Sequence, residues 1–360
     1  MSGSTRVIQV DALTPDPAAV AEAATAIREG RLVAFPTETV YGLGANAFDR
    51  EAVGRIFVAK GRPATDPLIV HMAHIGQLSL CASHVPAGAR RLALALWAGP
   101  LTLVLPKTPA IPDIVTAGLP SVAVRVPSHR VARALMEMAV VPVAAPSANR
   151  FSRPSPTTAA HVLTDLDGRI DLVLDAGPTD IGVESTIVDF TVEPPVLRRP
   201  GGIALEQVRA LVPEVELAVG SRSQEVAQLA PGQLLRHYAP AVPLTLYEGV
   251  PERVTALVAR DARMAVARGD SVGILAPEED LLQLAPEIAG LASVGRVVTR
   301  AYGARRDPAR AARVLFSALR ELDESGVTVI LATAIGQEGI GLAIRDRLIR
   351  AADGRRRVAQ

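Results

Sequence analysis

The sequence predicts an α/β protein in two parts, a twisted mixed sheet with helices over residues 1–212 and a three-layer parallel sheet over 244–360, joined by a linker over 213–243. Three observations carry this. Short apolar strand patterns crowd the first part with few helical stretches between them, which suits a sheet of parallel and antiparallel neighbours. Beyond Pro243 strand and helix alternate regularly, as βα crossovers demand. Between the two, periodicity fades and Pro and Gly stand at both ends, over a length far above the usual connection of about 4 to 6 residues.

The elements follow in order. PDPAAVAEAATAIRE, Pro15 to Glu29, opens with Pro and Asp and is followed by Gly30, the start and stop signals of a helix. RLVAFPT reads as a strand. Helical patterns recur at Arg50 to Lys60, Pro86 to Trp97 and His129 to Ala139, interleaved with the strands PLIVHM, LTLVLP, SVAVRVP, VPVAAPS, DLVLDAG and STIVDF. In the second part LTLYEG, a helix over Pro251 to Arg268, VGILAP, a helix near Leu281, VGRVVT, a helix from Asp307 to Glu324, VTVILATA and a last helix over Leu342 to Ala352 succeed one another. No internal repeat is visible.

A chain of 360 residues has material for two cores, and its formal net charge of +1 provides no global basic field for nucleic acid. The single cysteine, Cys81, excludes an internal disulfide and any cysteine-based metal cluster, and fits a reducing cytoplasm. The N-terminus lacks the apolar core of a secretory signal, and no 18-residue continuously apolar stretch occurs, so a cytoplasmic protein without membrane attachment is expected. Aromatics make up 3%, too few for a surface of stacked base platforms.

Five loops carry the chemistry. AFPTETVYGLG, Ala34 to Gly44, runs an apolar strand into Thr37, Glu38, Thr39 and Tyr41 before two glycines, more polar groups than a turn needs. AKGRPATDPLIVH ends a helix in Lys60, then places Arg62 and Asp66 before His71. Lys and Arg at a helix C-terminus complement its dipole, and the same pair suits a polyphosphate. APSANRFSRPSPTTAAH places Ser147, Asn149 and Ser155 ahead of a helix at Thr157, a seat for an anion or nucleotide; capping of that helix accounts for Ser155 or Pro156 only. GVESTIVDF and PPVLRRPGG supply Glu184, Ser185, Arg198 and Arg199, and VTAGLPSVAVRVPSH supplies Thr116, Ser121 and Arg125. No GxxxxGK[ST], GxGxxG or HExxH pattern occurs, GDSVG opens a strand rather than ending one, and His71 and His74 do not share a helix for metal. Such loops suit positioning and charge neutralisation, as nucleotidyl transfer requires.

Taken together, PTETVYGLG, KGRPATDPLIVH, SVAVRVP, APSANRFSRPSPT, ESTIVDF, RRPGG and PGQLLRHYAP resemble the long, two-domain threonylcarbamoyl-adenylate synthases over nearly the whole chain. The resemblance implies a YrdC-like first domain and a Rossmann-like second. It implies that L-threonine, bicarbonate or CO2, and ATP with Mg2+ give threonylcarbamoyl-AMP and pyrophosphate, the donor for N6-threonylcarbamoyladenosine at position 37 of tRNAs reading ANN codons. Lys60 and Arg62 are then the catalytic cations. Thr37, His71, Arg125, Ser185 and the backbone of Ala145 surround threonine. Lys60, Arg62, Asp66, Ser121, Ser147, Asn149, Ser155, Arg199, His237 and Tyr238 surround ATP, Arg199 being preferred to Arg198 because it directly precedes Pro200-Gly201. The RHYAP segment, Arg236 to Pro240, is expected to close over ATP as a lid, although Gln233-Leu234-Leu235 departs from the family's Met-Lys-Tyr-like stretch. A hand-off of the product to the tRNA threonylcarbamoyl transferase, with possible tRNA contact, completes the expected partners. An RNA-binding module is the first alternative, and the near-zero charge speaks against it. A carbamoyl transferase is the second, and the chain lacks the acylphosphatase and zinc-finger segments that accompany that role.

Overall fold

The structure is a computed structural model that describes residues 4–218, 228, 237–293 and 296–359. It divides into two compact units, residues 1–151 with 155–234, and residues 152–154 with 235–360.

The first unit contains β1 (Arg6–Gln9), α1 (Pro17–Arg28), β2 (Val33–Phe35), β3 (Gly42–Asn46), α2 (Arg50–Lys60), β4 (Ile69–His71), α3 (Leu78–Cys81), α4 (Ala87–Leu96), β5 (Leu101–Pro106), α5 (Asp113–Thr116), β6 (Ser121–Arg125), α6 (Arg130–Ala139), β7 (Val143–Ala144), α7 (Ala159–Leu166), β8 (Leu172–Asp175), β9 (Thr186–Asp189), β10 (Val196–Arg199), α8 (Leu205–Leu211) and β11 (Glu216–Leu217). These strands form one mixed sheet in the order β1-β8-β2-β3-β7-β4-β6-β5-β9-β10-β11. Period-2 alternation divides the apolar residues between two faces. Ala34, Leu43, Val70, Leu103, Val124 and Val188 fill the larger core on one face. Val33, Phe35, Val143, Leu172 and Leu174 pack on the other against Ile27 of α1 and Leu135 of α6.

Helix ends follow local chemistry. Asp16 caps α1 by accepting from Ala18 N–H, and α2 ends on Gly61 at φ 64°, the left-handed turn that glycine adopts without strain. Helix α7 is capped by Thr158, whose side chain accepts from His161 N–H, so it begins later than the sequence suggests and Ser155 is left for another partner.

Three elements differ from expectation. Gly42 and Gly44 lie in β3, an interior strand rather than a loop. A Cβ on Gly44 would sit 2.7 Å from the Phe35 ring and 2.9 Å from Val143, so the glycine makes room for core side chains; Gly42 meets ordinary contacts only. Residues Glu216–Leu217, read as linker, pair in parallel with β10. Helix α8 has no clear signal in the sequence, because Leu205, Val208 and Leu211 give too short a period to stand out.

The second unit holds β12 (Leu244–Gly249), α9 (Pro251–Ala267), β13 (Val272–Ala276), α10 (Glu278–Ser293), β14 (Val297–Ala301), α11 (Pro308–Glu324), β15 (Val329–Thr333), α12 (Gly341–Ala351) and β16 (Arg356–Ala359). All pairings are parallel, in the order β14-β13-β15-β12-β16. Helix α9 packs on α10 and α11 on α12. Strand β16 hides in an arginine-rich segment because its pairing rests on charge as much as on apolar surface: Arg356 pairs with Glu248 and Arg357 with Asp261 of the facing elements. Among the described residues no helix is long and apolar enough to cross a membrane.

Gly201, just beyond β10, presses on the turn into β9. A Cβ there would lie 2.3 Å from the Ser185 carbonyl carbon and 2.4 Å from Glu184 O and Thr186 N, backbone atoms that cannot rotate away. Gly201→Ala is therefore expected to lower unfolding free energy by at least about 2 kcal/mol in urea denaturation.

Candidate active site

Strand register builds the site. Across β4, β6 and β5, His71 pairs with Arg125 and Arg125 with Thr102; Thr102 pairs with Ile187 of β9 and Ile187 with Arg199 of β10. All five belong to one face of the sheet, and the next row on it is Ile69, Ala123 and Val104. Ser121 lies on the same face at the far end of β6, about 13 Å from Arg125 along an extended strand. On this face the polar row borders a small buried apolar cluster of Ile69, Val104, Ala123 and Ile187, while the opposite face is solid core.

Loops wall this face. Thr37 Oγ1 accepts from the N–H groups of Thr39 and Val40, lies 2.8 Å from Thr39 Oγ1 and is 2.6 Å from Val40 O. The hydroxyl thus organises its own turn. The segment 145–156 is zipped to Tyr41 and Leu43 by Tyr41 N–H to Pro156 O, Leu43 N–H to Pro146 O and Ala148 N–H to Tyr41 O, while Ala145 N–H donates to Ile69 O. Beside it Lys60 Nζ donates to the carbonyls of Ser147 (2.6 Å) and Asn149 (2.5 Å), and Ser147 Oγ donates to Asn149 Oδ1.

Arg62 is buried, with Nε on Asp66 O, Nη2 on Pro67 O and the Asp66 carboxylate 3.0 Å away. Gln228 N–H donates to Thr65 O in the same loop. Ser155 donates to Glu184 Oε1. Arg199 donates from Nε to Ser185 O and from Nη2 to Ser185 Oγ, which in turn lies 2.7 Å from Thr102 Oγ1. Arg198 pairs with Asp189 instead. The doubled arginines therefore have different partners, and Arg199 joins the polar face.

Burial tunes these groups. His71 is pushed down to about 3, first by desolvation and then by neighbouring Arg125, and its ring meets Phe35 edge-on. Lys60 is held well below the usual lysine range by burial and then by Arg62. A phosphate beside it would favour its charged form.

His237 and Tyr238 belong to the second unit, where the Tyr238 ring lies 5.6 Å from Phe316 and Arg347 sits 5.0 Å above it. Arg236 and Gln233 to Leu235 lie outside the described residues. Two groups that the sequence did not single out as site residues join the wall: Thr102, hidden in an otherwise apolar strand, and Glu38, whose Oε1 is 2.7 Å from Arg125 Nη2. Alternation in LTLVLP reveals Thr102 once the register is known.

A strand face of buried cations and hydroxyls, walled by loops rich in backbone donors and acceptors, is an arrangement that suits an anionic ligand. Comparison with known proteins makes this specific. Residues 25–201 match the Sua5/YciO/YrdC family, described as telomere recombination, and residues 203–353 match the threonylcarbamoyl-AMP synthase C-terminal domain. The threonylcarbamoyl-AMP synthase of Pyrococcus abyssi is 46% identical over 331 residues, 91% of this chain and 92% of that protein. That of Bacillus subtilis is 44% identical over 346 residues, 96% of each. The crystal structure of P. abyssi Sua5 complexed with L-threonine superposes with a TM-score of 0.89 at 42% identity, covering 99% of this chain and 100% of the other. The chain belongs to the threonylcarbamoyl-AMP synthase family.

Below pH 6.5 an unfolded His71 takes up a proton that the folded protein refuses until about pH 3. Its stabilising contribution is complete above pH 6.5 and is lost as pH falls through that window, at up to about 1.4 kcal/mol per pH unit. Urea unfolding between pH 7 and pH 4 should show a shallower loss for His71→Gln than for the wild type.

Proposed function

We propose that this enzyme condenses L-threonine, bicarbonate or CO2, and Mg-ATP into threonylcarbamoyl-AMP and pyrophosphate, for N6-threonylcarbamoyladenosine at position 37 of tRNAs reading ANN codons. The observation that carries the reading is the buried row His71, Arg125, Thr102, Arg199, together with the buried cations Lys60 and Arg62 of the first unit, in a chain that matches synthases along nearly its whole length. The amine of threonine adds to CO2 and releases a proton, giving a carbamate. A carbamate oxygen then attacks the α-phosphorus, the bond to the β-phosphate oxygen breaks, and pyrophosphate leaves with that electron pair.

Each residue has a part in this reading. Arg125 takes the threonine carboxylate, with neutral His71, Ser185 and the Ala145 backbone around the amino acid and Thr37 fixing the turn beside it. Lys60, Arg62 and Arg199 face the phosphates, where negative charge grows as pyrophosphate departs. Ser121, Ser147, Asn149 and Ser155 position ATP, and Asp66 orients Arg62. Mg2+ enters as part of the substrate, on the phosphates. The product is a mixed anhydride that water destroys, so a transferase acting on tRNA must consume it promptly, in the cytoplasm where tRNA and ATP meet.

The decisive test is pyrophosphate release by purified protein with Mg-ATP, L-threonine and bicarbonate, omitting each in turn, with mass spectrometry for the adenylate. Release that needs all three, with threonylcarbamoyl-AMP detected, is expected; ATP binding without adenylate would sink the reading. Lys60→Met, which preserves volume but removes the cation, should lower kcat at least about 100-fold. Thr37→Ala frees the turn and should weaken threonine binding, measured by calorimetry; unchanged affinity would remove Thr37 from the site.

A further inference from the structure

Glu38 has no assigned part in the reaction, yet its placement is costly. Its side chain and that of Arg125 are 5% and 4% exposed, and Oε1 lies 2.7 Å from Arg125 Nη2. The other oxygen, Oε2, is buried without a hydrogen-bond partner among the described residues. Taking a carboxylate out of water costs several kcal/mol even when paired, and the cost is recovered only if its remaining lone pairs are met. An acceptor left open in this way calls for a donor beyond the described residues.

The turn that carries Glu38 is fixed on both sides. Thr37 Oγ1 takes the N–H groups of Thr39 and Val40, and the loop after β8 clamps the same backbone through Ile181 N–H to Glu38 O and Gly182 N–H to Thr39 O. The backbone that carries Glu38 is therefore fixed, and the contact of Oε1 with Arg125 Nη2 restrains the carboxylate. Arg125 is likewise half committed: Nε donates to Gly99 O and Nη2 to Glu38, while Nη1 has no partner among the described residues. The pair thus leaves one acceptor with negative charge and one donor with positive charge, side by side.

We propose that Glu38 is the ammonium-binding residue of the amino-acid site: Arg125 Nη1 takes the α-carboxylate and Glu38 Oε2 takes the α-ammonium of L-threonine. This rests on the threonine reading above and adds to it the group that selects an amino acid over an acid of the same shape. An α-hydroxy acid presents the same carboxylate to Arg125 but only a neutral donor to Glu38, and a charged hydrogen bond exchanged for a neutral one in a buried site is expected to cost tenfold or more in affinity, roughly.

The experiment is calorimetric titration of the full chain with L-threonine and with its α-hydroxy analogue, 2,3-dihydroxybutanoate of matching configuration. Wild type should prefer threonine by at least about tenfold. Glu38→Gln should lose most of that preference, through weaker threonine binding with the analogue little changed. Glu38→Asp keeps the charge that Arg125 needs for folding but withdraws the oxygen, and should also weaken threonine selectively. Equal affinity of wild type for both ligands, or variants that keep the preference, or variants that weaken both ligands alike as a mere prop for Arg125 would, overturn the proposal. Wild type that binds neither ligand would instead overturn the threonine reading, and Glu38's role with it.

Discussion

The site depends on one constraint, the pairing register of β4, β6, β5, β9 and β10. That register aligns His71, Arg125, Thr102, Ile187 and Arg199 in one row. The same strands send Val70, Val124, Leu103, Val188 and Leu197 to the opposite face, into the main core. A slip of one residue between β6 and its neighbours would exchange the two sets and drive the Arg125 guanidinium into apolar packing. Core burial therefore enforces the geometry of the polar face, and residues with no chemistry of their own hold those that have it.

Electrostatics on that face follows from how its cations are held. Lys60 is met by the carbonyls of Ser147 and Asn149, and Arg199 by the carbonyl and hydroxyl of Ser185. Carbonyl dipoles satisfy donors without cancelling charge; burial disfavours the Lys60 ammonium, and a phosphate beside it would favour the charged form. Arg62 and Arg125 each meet a carboxylate, Asp66 and Glu38, which offsets part of their charge. His71, kept neutral by its surroundings, can hydrogen-bond without adding to the field.

Much of this was legible in the sequence, for physical reasons that differ by element. The alternation in SVAVRVP gives β6 and the direction of Arg125 at once, because period 2 is strict in a strand. The end of α2 at Lys60 is marked by Gly61, which adopts the left-handed turn. The glycines of β3 read as part of a loop, since glycine marks both turns and packing relief inside a sheet, and the position of the Phe35 ring beside Gly44 shows the second. The pairings of Thr102 and Glu38 are hidden for another reason. Their parts are set by residues far along the chain, Ser185 and Arg125, and no local pattern records such a pairing.

The second unit shows the same logic with a different outcome. In a doubly wound parallel sheet, ligands favour the carboxyl ends of strands where successive connections diverge, here between β13 and β15. The polar groups at that point are spent on each other. Arg305 grips Asp280 with Nε and Nη2, Asp280 accepts from Thr333 Oγ1 at 2.6 Å, and the Tyr302 hydroxyl donates to Thr333 O. With Asp280 and Tyr302 both buried, this is a closed polar core that locks three strand ends together rather than a row of donors awaiting a phosphate. The lack of a glycine fingerprint in the sequence agrees with this arrangement, in which the polar side chains at the strand ends bond one another.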